Sequence, residues 1–417
     1  MRDLPLLLGA LLVIALLLRL DFVFYVVYVV GGIWLLARWA TPRSMERLIV
    51  RRDFVDHAFL GETIPVQLEL HNPTGLPIPW LRVNETLPSD LAAADQIRRV
   101  YTLRARERVA IVYDLRCTRR GYYPIGPLAL SSGDLFGFSD AQNRAEAVQY
   151  LTVYPRIIPL IGLTLPSRLP FGVLASPQRV FEDPARLRGV REYQAGDSLR
   201  RVNWKASAHG DTLLVKQFSP AISLESMILL NLNAGDYERR QRYSASEWAI
   251  VVAASLAVYL ESQRQAVGVA VHGVAAQPAS LAAAADHAAP LLSAPPRPGR
   301  AHLMKVLEIL ARAELIDDGQ PLAAWAQQAA APLSWGVTAI VVTPSGDEAT
   351  CQGLHSLVRA GLNVVMLVVE PYGRFGLVQE RARRLGFQAH LAAAEEDLLR
   401  LQARHVARVP AFRGVRP

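Results

Sequence analysis

The chain has 417 residues, 51% of them hydrophobic and 20% charged, with a formal net charge of +8, a sequence pI near 9.7 and a mean hydropathy of +0.18. Its cysteines, Cys117 and Cys351, lie far apart with no CxxC spacing, which argues against a disulfide framework and against a zinc site. The length suggests two or three domains. The basic balance lacks a basic stripe interleaved with aromatics, so it points to an anionic membrane surface and away from nucleic acid.

Leu4 to Leu18 is uncharged, Arg19-Leu20-Asp21 interrupts, and Phe22 to Ala37 is uncharged again. Each run is short for a spanning helix of roughly 20 residues, but flanking charges can snorkel. The simplest expectation is a transmembrane helical hairpin over residues 1–40 with Arg19 and Asp21 at its turn. A signal peptide is the alternative. It is weakened by the acid beside Arg2 and by the lack of a small-x-small cleavage site after Leu18. Arg38, Arg43, Arg47, Arg51 and Arg52 follow the second run. By the positive-inside rule both termini and the bulk of the chain are then expected on the cytoplasmic side of the cell (inner) membrane, as a multi-pass protein.

Over residues 50–158 the pattern is that of short strands. Thr63 to Leu70 alternates apolar and polar, Asn72-Pro73-Thr74-Gly75 signals a turn, and Trp80 to Thr86 alternates again. Tyr101 to Arg104, Val109 to Cys117 and Leu128 to Ser131 read as further strands. Together they suggest an antiparallel β-sandwich-like domain. Arg120-Gly121-Tyr122-Tyr123 and Asp134-Leu135-Phe136-Gly137-Phe138 read as turn-and-anchor segments whose aromatics fill the core.

Residues 223–408 alternate differently. Strands are expected at 226–232, 267–271, 338–343, 363–369 and 388–391. Helices are expected at 246–263, 301–315, 348–360, 377–385 and 395–405, with a surface excursion between Ala275 and Arg300. Apolar strands alternating with helices imply a parallel sheet covered on both faces. Ligands of such sheets bind at the carboxyl ends of strands. The loops to examine are therefore Asn231-Leu232-Asn233-Ala234-Gly235-Asp236 and Thr343-Pro344-Ser345-Gly346-Asp347. Asn231 and Asn233 are neutral donors, weaker for a hard cation than carboxylates. His209, His272, His355 and His390 have no partner at ligand spacing and read as surface or satisfied histidines.

Between these regions, at residues 180–222, lies the densest polar segment. Asp197 is a suitable N-cap for a helix from Ser198 onward, Arg200 can pair with it, His209-Gly210-Asp211 forms a turn, and Leu213 to Phe218 reads as a strand. The candidate interaction or structural residues are Arg191, Glu192, Tyr193, Gly196, Asp197, Arg200, Asn203, Trp204, Lys205, Ser207 and Lys216.

This motif, Arg-Glu-Tyr-x-x-Gly-Asp-x-x-Arg-x-x-Asn-Trp-Lys-Ala-Ser-Ala followed by Leu-x-Val-Lys-Gln-Phe, resembles the signature of the domain of unknown function 58 family. Arg120-Gly121-Tyr122, Asp134-Leu135-Phe136-Gly137 and Val153-Tyr154-Pro155-Arg156 resemble that family's upstream segment. The resemblance implies a membrane-anchored bacterial or archaeal protein with a β-rich segment and a von Willebrand factor type A-like α/β domain. It also implies association with a MoxR-type AAA+ ATPase in assembly or maturation of other proteins. The type A metal site begins Asp-x-Ser-x-Ser. Asn231, Asn233 and Gly235 stand there instead, with Thr343 on the next loop, so these are degenerate metal-site positions and no metal or cofactor is expected.

The function expected from the sequence is a non-enzymatic, membrane-tethered interaction module. The alternative is an enzyme acting on a phosphate or acyl group, with Arg191, Arg200, Lys205 and Lys216 binding the anion, Asp197 as base and Ser207 as nucleophile.

Overall fold

The computed structural model describes residues 4–18, 21–93, 98–133, 142–160, 182–194, 202–208, 212–220, 225–276, 292–317, 319–370 and 375–399. The chain divides into two compact units. One comprises Met1–Ile158, Gly273–Leu292 and Met304–Leu315; the other comprises Pro159–His272, Ser293–Leu303 and Ile316–Pro417.

The first unit opens with helices α1 (Leu4–Leu18) and α2 (Asp21–Arg47). At 15 residues α1 is shorter than a bilayer crossing needs. α2 runs for 27 residues, is mostly exposed, and is apolar and long enough to be a candidate membrane span. It continues past the end of its apolar run, and Ser44, Met45 and the following Leu48 are buried. Its last turn is thus part of a core, which periodicity over residues 22–37 alone does not reveal.

Eleven strands follow: β1 (Ile49–Asp53), β2 (His57–Phe59), β3 (Thr63–His71), β4 (Ile78–Glu85), β5 (Leu91–Ala93), β6 (Arg98–Leu103), β7 (Arg108–Cys117), β8 (Gly121–Ile125), β9 (Leu128–Ser132), β10 (Gln142–Glu146) and β11 (Gln149–Tyr154). They build two four-stranded antiparallel sheets, ordered β1-β3-β7-β5 and β10-β9-β4-β6, and a three-stranded sheet β2-β11-β8. Alternation makes the core. In β3 the inward positions Val66, Leu68 and Leu70 are fully buried. Leu68 and Leu70 share one cluster with Leu81 and Val83 of β4 and Leu128 and Leu130 of β9. Two sheets facing across a shared core are β-sandwich-like, as the alternation predicts. Asp134 to Phe138 lie outside the described residues.

The second unit begins with an antiparallel ribbon, β12 (Glu182–Glu192) and β13 (Leu214–Pro220), with the one-turn helix α3 (Trp204–Ser207) between them. The remaining strands are β14 (Glu225–Asn231), β15 (Ala266–His272), β16 (Val274–Ala275), β17 (Ser293–Arg297), β18 (Ala313–Glu314), β19 (Thr338–Thr343), β20 (Asn363–Val368) and β21 (Gln388–Leu391). β16 and β18 pair with one another and belong to the first unit. The other six form one sheet, ordered β17-β15-β14-β19-β20-β21. All its pairings are parallel except β15 with β17. The sheet is therefore mixed, where a wholly parallel one was expected. β17 arises from the stretch read as a surface excursion, whose prolines and alanines mask an edge strand. The helix Leu322–Ala330 also escaped the sequence pattern, while the helix expected to Leu315 ends at Arg312.

Both faces of the sheet are covered. Met227, Leu229, Ala339, Val341, Val364 and Met366 share a cluster with residues of the helices Leu322–Ala330, Glu348–Arg359 and Phe375–Arg384. Helix α4 (Arg242–Ser262) packs on β14, β15 and β19 but adds nothing to that cluster, which assigns it to the opposite face. α4 also has the length and composition of a membrane span, but it is largely buried. It is the core helix of this unit.

Candidate functional site

Numbering the six sheet strands in chain order gives 3-2-1-4-5-6, and the order reverses between β14 and β19. In open α/β sheets the carboxyl ends flanking such a reversal form the usual binding crevice. Asn231 ends β14 and Thr343 ends β19, so the topology puts the loops singled out from sequence at that point.

The loop after β14 is closed by its own hydrogen bonds. Asn231 is fully buried. Its Oδ1 accepts the Asn233 N–H at 3.0 Å and its Nδ2 donates to Asp236 Oδ2 at 2.8 Å. Asn233 accepts the Gly235 N–H at 3.3 Å and donates to the Gln320 carbonyl at 3.3 Å. The Tyr237 hydroxyl donates to the Asn231 carbonyl at 2.6 Å. Burial, then Glu370 and Asp236, hold that phenol far above its ordinary range. Burial also raises the Glu370 carboxyl, partly offset by the Glu238 N–H at 3.1 Å. Thr343 Oγ1 donates to the Ser345 carbonyl at 3.3 Å, and Asp347 Oδ1 caps the next helix through the Thr350 N–H at 2.9 Å. A hard cation needs free oxygen donors, preferably carboxylates. Here each amide oxygen already accepts a backbone N–H and each amide nitrogen already donates. Among the described residues no group of three or more His, Cys, Asp or Glu is placed to hold a metal.

His272, at the end of β15, is 3% exposed and stacks on Trp325 at 5.0 Å and 9°. It is therefore no surface residue. His355 bonds the Leu385 carbonyl at 2.8 Å. His209 lies outside the described residues.

The polar motif sits on the β12–β13 ribbon, and its helix differs from the expected one. α3 begins at Trp204, and Asn203 caps it by accepting the Ala206 N–H at 3.3 Å; Ser198, where the helix is expected to start, lies outside the described residues. Val202, expected on a helix face, forms a bridge with Val215 instead, both side chains buried. A buried β-branched pair outcompetes the helical alternative there. Gly196, Asp197 and Arg200 lie outside the described residues, so the Asp197–Arg200 pair and the Asp197 cap do too.

The other motif residues are knitted to the backbone. Tyr193 N–H donates to the Leu213 carbonyl at 2.8 Å, and Asn203 N–H to the Leu214 carbonyl at 2.8 Å. Ser207 Oγ donates to the Asn203 carbonyl at 2.9 Å and accepts the Leu214 N–H at 2.8 Å. Its hydroxyl is thus engaged on both sides in fixing α3 to β13. Arg191 Nη1 donates to the Glu192 carbonyl at 3.0 Å, and Lys216 pairs with Val190 across the ribbon. Glu192 and Lys205 are exposed. Trp204 is 64% exposed, with Val190 and Leu213 each 42% exposed on the same ribbon.

Sequence reading missed a second assembly, in the first unit. Arg120 donates to the carbonyls of Leu310 and Ala311, both at 3.0 Å. Arg312 lies 3.8 Å over the Tyr122 ring, which stacks on Tyr150 at 4.9 Å. Tyr123, expected in the core, is there, but Tyr122 is half-buried as a platform for a cation. Nothing in local spacing links residue 122 to residue 312.

Residues 189–365 match a family model described as Protein of unknown function DUF58. "Uncharacterized protein YeaD" of Bacillus subtilis (strain 168) is 22% identical over 180 residues, 42% of this chain and 45% of that protein. The chain thus spans under half of the relative it matches. Solved structures give only partial likenesses. Native alpha-2-macroglobulin from Escherichia coli aligns at 17% identity over 29% of this chain and 20% of that one, with a TM-score of 0.24. A CARDB domain from Pyrococcus furiosus aligns at 14% identity over 25% of this chain and 91% of that one, with a TM-score of 0.19. The stretch that matches this family model, less than half of the chain, takes in the polar motif and most of the α/β sheet.

Proposed function

We propose that this protein is a membrane-anchored, non-enzymatic adaptor that docks a protein partner through the β12–β13 ribbon. The observation that carries the reading is Trp204. A large apolar ring is held in water on a one-turn helix whose cap and hydroxyl bridge fix it to β13. Exposed tryptophans on rigid supports are what binding hot spots are made of. The motif resemblance supports a MoxR-type AAA+ ATPase as the partner, in assembly or maturation of other proteins.

The α/β sheet is read as von Willebrand factor type A-like, on its strand order and on the Asn231/Asn233/Gly235 positions. In this reading the metal site has been replaced by neutral amides, and the residues present do not fit Mg²⁺. The N-terminal helices α1 and α2 are read as a membrane hairpin, with the arginines after Ala37 on the cytoplasmic side.

The test is affinity capture from native membranes with wild type and Trp204→Ala. Capture of a AAA+ ATPase by wild type and its loss from the folded variant supports the reading. Equal capture by both removes Trp204 from the interface.

A further inference from the structure

One end of the sandwich is marked out by α2. β1 starts two residues after α2 ends. Its first residue, Ile49, pairs with His71, and His71 pairs with Arg108. Met45 and Leu48 join the core cluster containing Leu70, Ile78 and Leu103, the residues at that end of their strands. They are not part of the cluster around Leu115, Cys117 and Ile125 toward the other end.

Among the described residues two loops close the α2 end, residues 72–77 and residues 104–107, and hydrogen bonds join them into one piece. Asn72 Nδ2 donates to the carbonyls of Leu76 at 2.8 Å and Arg104 at 3.0 Å. Its Oδ1 accepts from Thr74 Oγ1 at 2.7 Å. The Arg106 N–H donates to the Thr74 carbonyl at 3.1 Å, and the Asn72 N–H to the Glu107 carbonyl at 3.0 Å. Glu107 Oε2 accepts the Arg104 N–H at 2.5 Å. Arg106 is held at φ +62°, a conformation uncommon outside glycine. Arg104, Arg106 and Arg108 are all exposed, beside exposed Pro73, Gly75 and Pro77. Among the described residues, Glu107 is engaged as described and Glu69 lies 4.0 Å from Arg108.

We propose that this two-loop platform rests on anionic lipid headgroups. The proposal depends on reading α2 as a membrane span. Arg38 lies 5.8 Å over Trp34 and Arg43 lies 4.4 Å over Trp39. Such aromatic–arginine pairs are suited to the membrane–water boundary. Arg47 is nine residues beyond Arg38, about 14 Å of helix, and Leu48 alone separates it from β1, at the end of the sandwich that the loops close. With no flexible linker between α2 and β1, the platform is held at the headgroup layer. Juxtamembrane arginines are drawn to anionic lipid there, and a pre-bonded loop pair loses little freedom on contact.

The test uses the full chain reconstituted in phosphatidylcholine vesicles with or without phosphatidylglycerol, and a lipid carrying a headgroup quencher. A fluorophore is placed at Gly75→Cys or at Ser89→Cys. Space around Gly75 is open, both native cysteines are buried, and exposed Ser89 lies in the turn before Leu91, which pairs with Cys117 at the opposite end. The expected result is quenching at Gly75 several-fold stronger than at Ser89, enhanced by phosphatidylglycerol. The combination Arg104→Gln, Arg106→Asn and Arg108→Gln removes that enhancement. Equal quenching at both positions, in a chain that resists carbonate extraction, overturns the platform and leaves the anchor standing. Release of the chain by carbonate overturns the anchor, and the platform with it.

Discussion

Arg52 and Glu85 form a buried ion pair between the two four-stranded sheets of the first unit, with side chains only 5% and 0% exposed. The Tyr113 hydroxyl donates to the other carboxylate oxygen at 3.1 Å, and Arg52 also donates to the carbonyls of Ile125 at 3.4 Å and Ala147 at 3.3 Å. Removing one partner leaves the other buried and uncompensated. Glu85→Ala is expected to cost about 3–5 kcal/mol, read by denaturant unfolding of the detergent-solubilised chain.

Burial raises the Glu85 carboxyl above its ordinary 4.5, and Arg52 and Tyr113 only partly bring it back. Below 4.5 the group is protonated in both folded and unfolded chains. Above its raised folded value it is ionised in both. Between the two, the folded chain holds the proton longer, so this group's contribution to stability falls as pH rises. The stability of wild type relative to Glu85→Gln should therefore decline with rising pH from 4.5 upward, then level off. A difference that grows with pH would contradict this.

Asn203, Ser207 and Trp204 are adjacent on α3 but differ in role. Asn203→Ala removes a helix cap and should cost roughly 1 kcal/mol. Ser207→Ala strips the Leu214 N–H of its partner and should cost about 1–3 kcal/mol. Trp204→Ala removes an exposed ring and should change stability by less than about 0.5 kcal/mol, while reducing partner capture. Melting curves of the three variants separate support from surface.

At the end of β14, Asn231→Asp would set a buried carboxylate against half-buried Asp236, where the amide now donates at 2.8 Å. The variant should melt below wild type at neutral pH and recover on mild acidification, because two adjacent carboxylates, one of them buried, cannot both ionise easily. Added magnesium should leave the wild-type melting temperature unchanged.

A Cβ on Gly353 would sit 2.1 Å from Ala323 Cβ of the neighbouring helix. Gly353→Ala should therefore force the helices Glu348–Arg359 and Leu322–Ala330 apart. The expected loss is about 1–3 kcal/mol, as for overpacked cores, outweighing the gain in helix propensity. Thermal unfolding measures it directly.

Much of the fold was legible from residue order because it follows from periodicity. Alternation from Thr63 to Leu70 specifies a half-buried strand. Continuous apolar runs such as Met227 to Leu230 specify strands covered on both faces. Their alternation with helices put Asn231 and Thr343 on the loops that the topology later placed at the reversal of strand order. Even the Arg52–Glu85 pair left a trace, since Glu85 continues the inward register of Leu81 and Val83. Its partner left none, because strand pairing and sheet facing are not written in local spacing.

What the sequence by itself determined was therefore element type, the apolar reach of α2, the β-rich and α/β segments, and the neutral side chains at Asn231 and Asn233. Only the tertiary structure decided which polar groups meet. It closed the Asn231 loop with its own bonds, took Val202 from a helix into a bridge, engaged the Ser207 hydroxyl, left Trp204 in water, and brought Arg312 to Tyr122. Propensity and pattern act over a few residues along the chain. Satisfaction of buried donors and acceptors is settled between residues far apart in it.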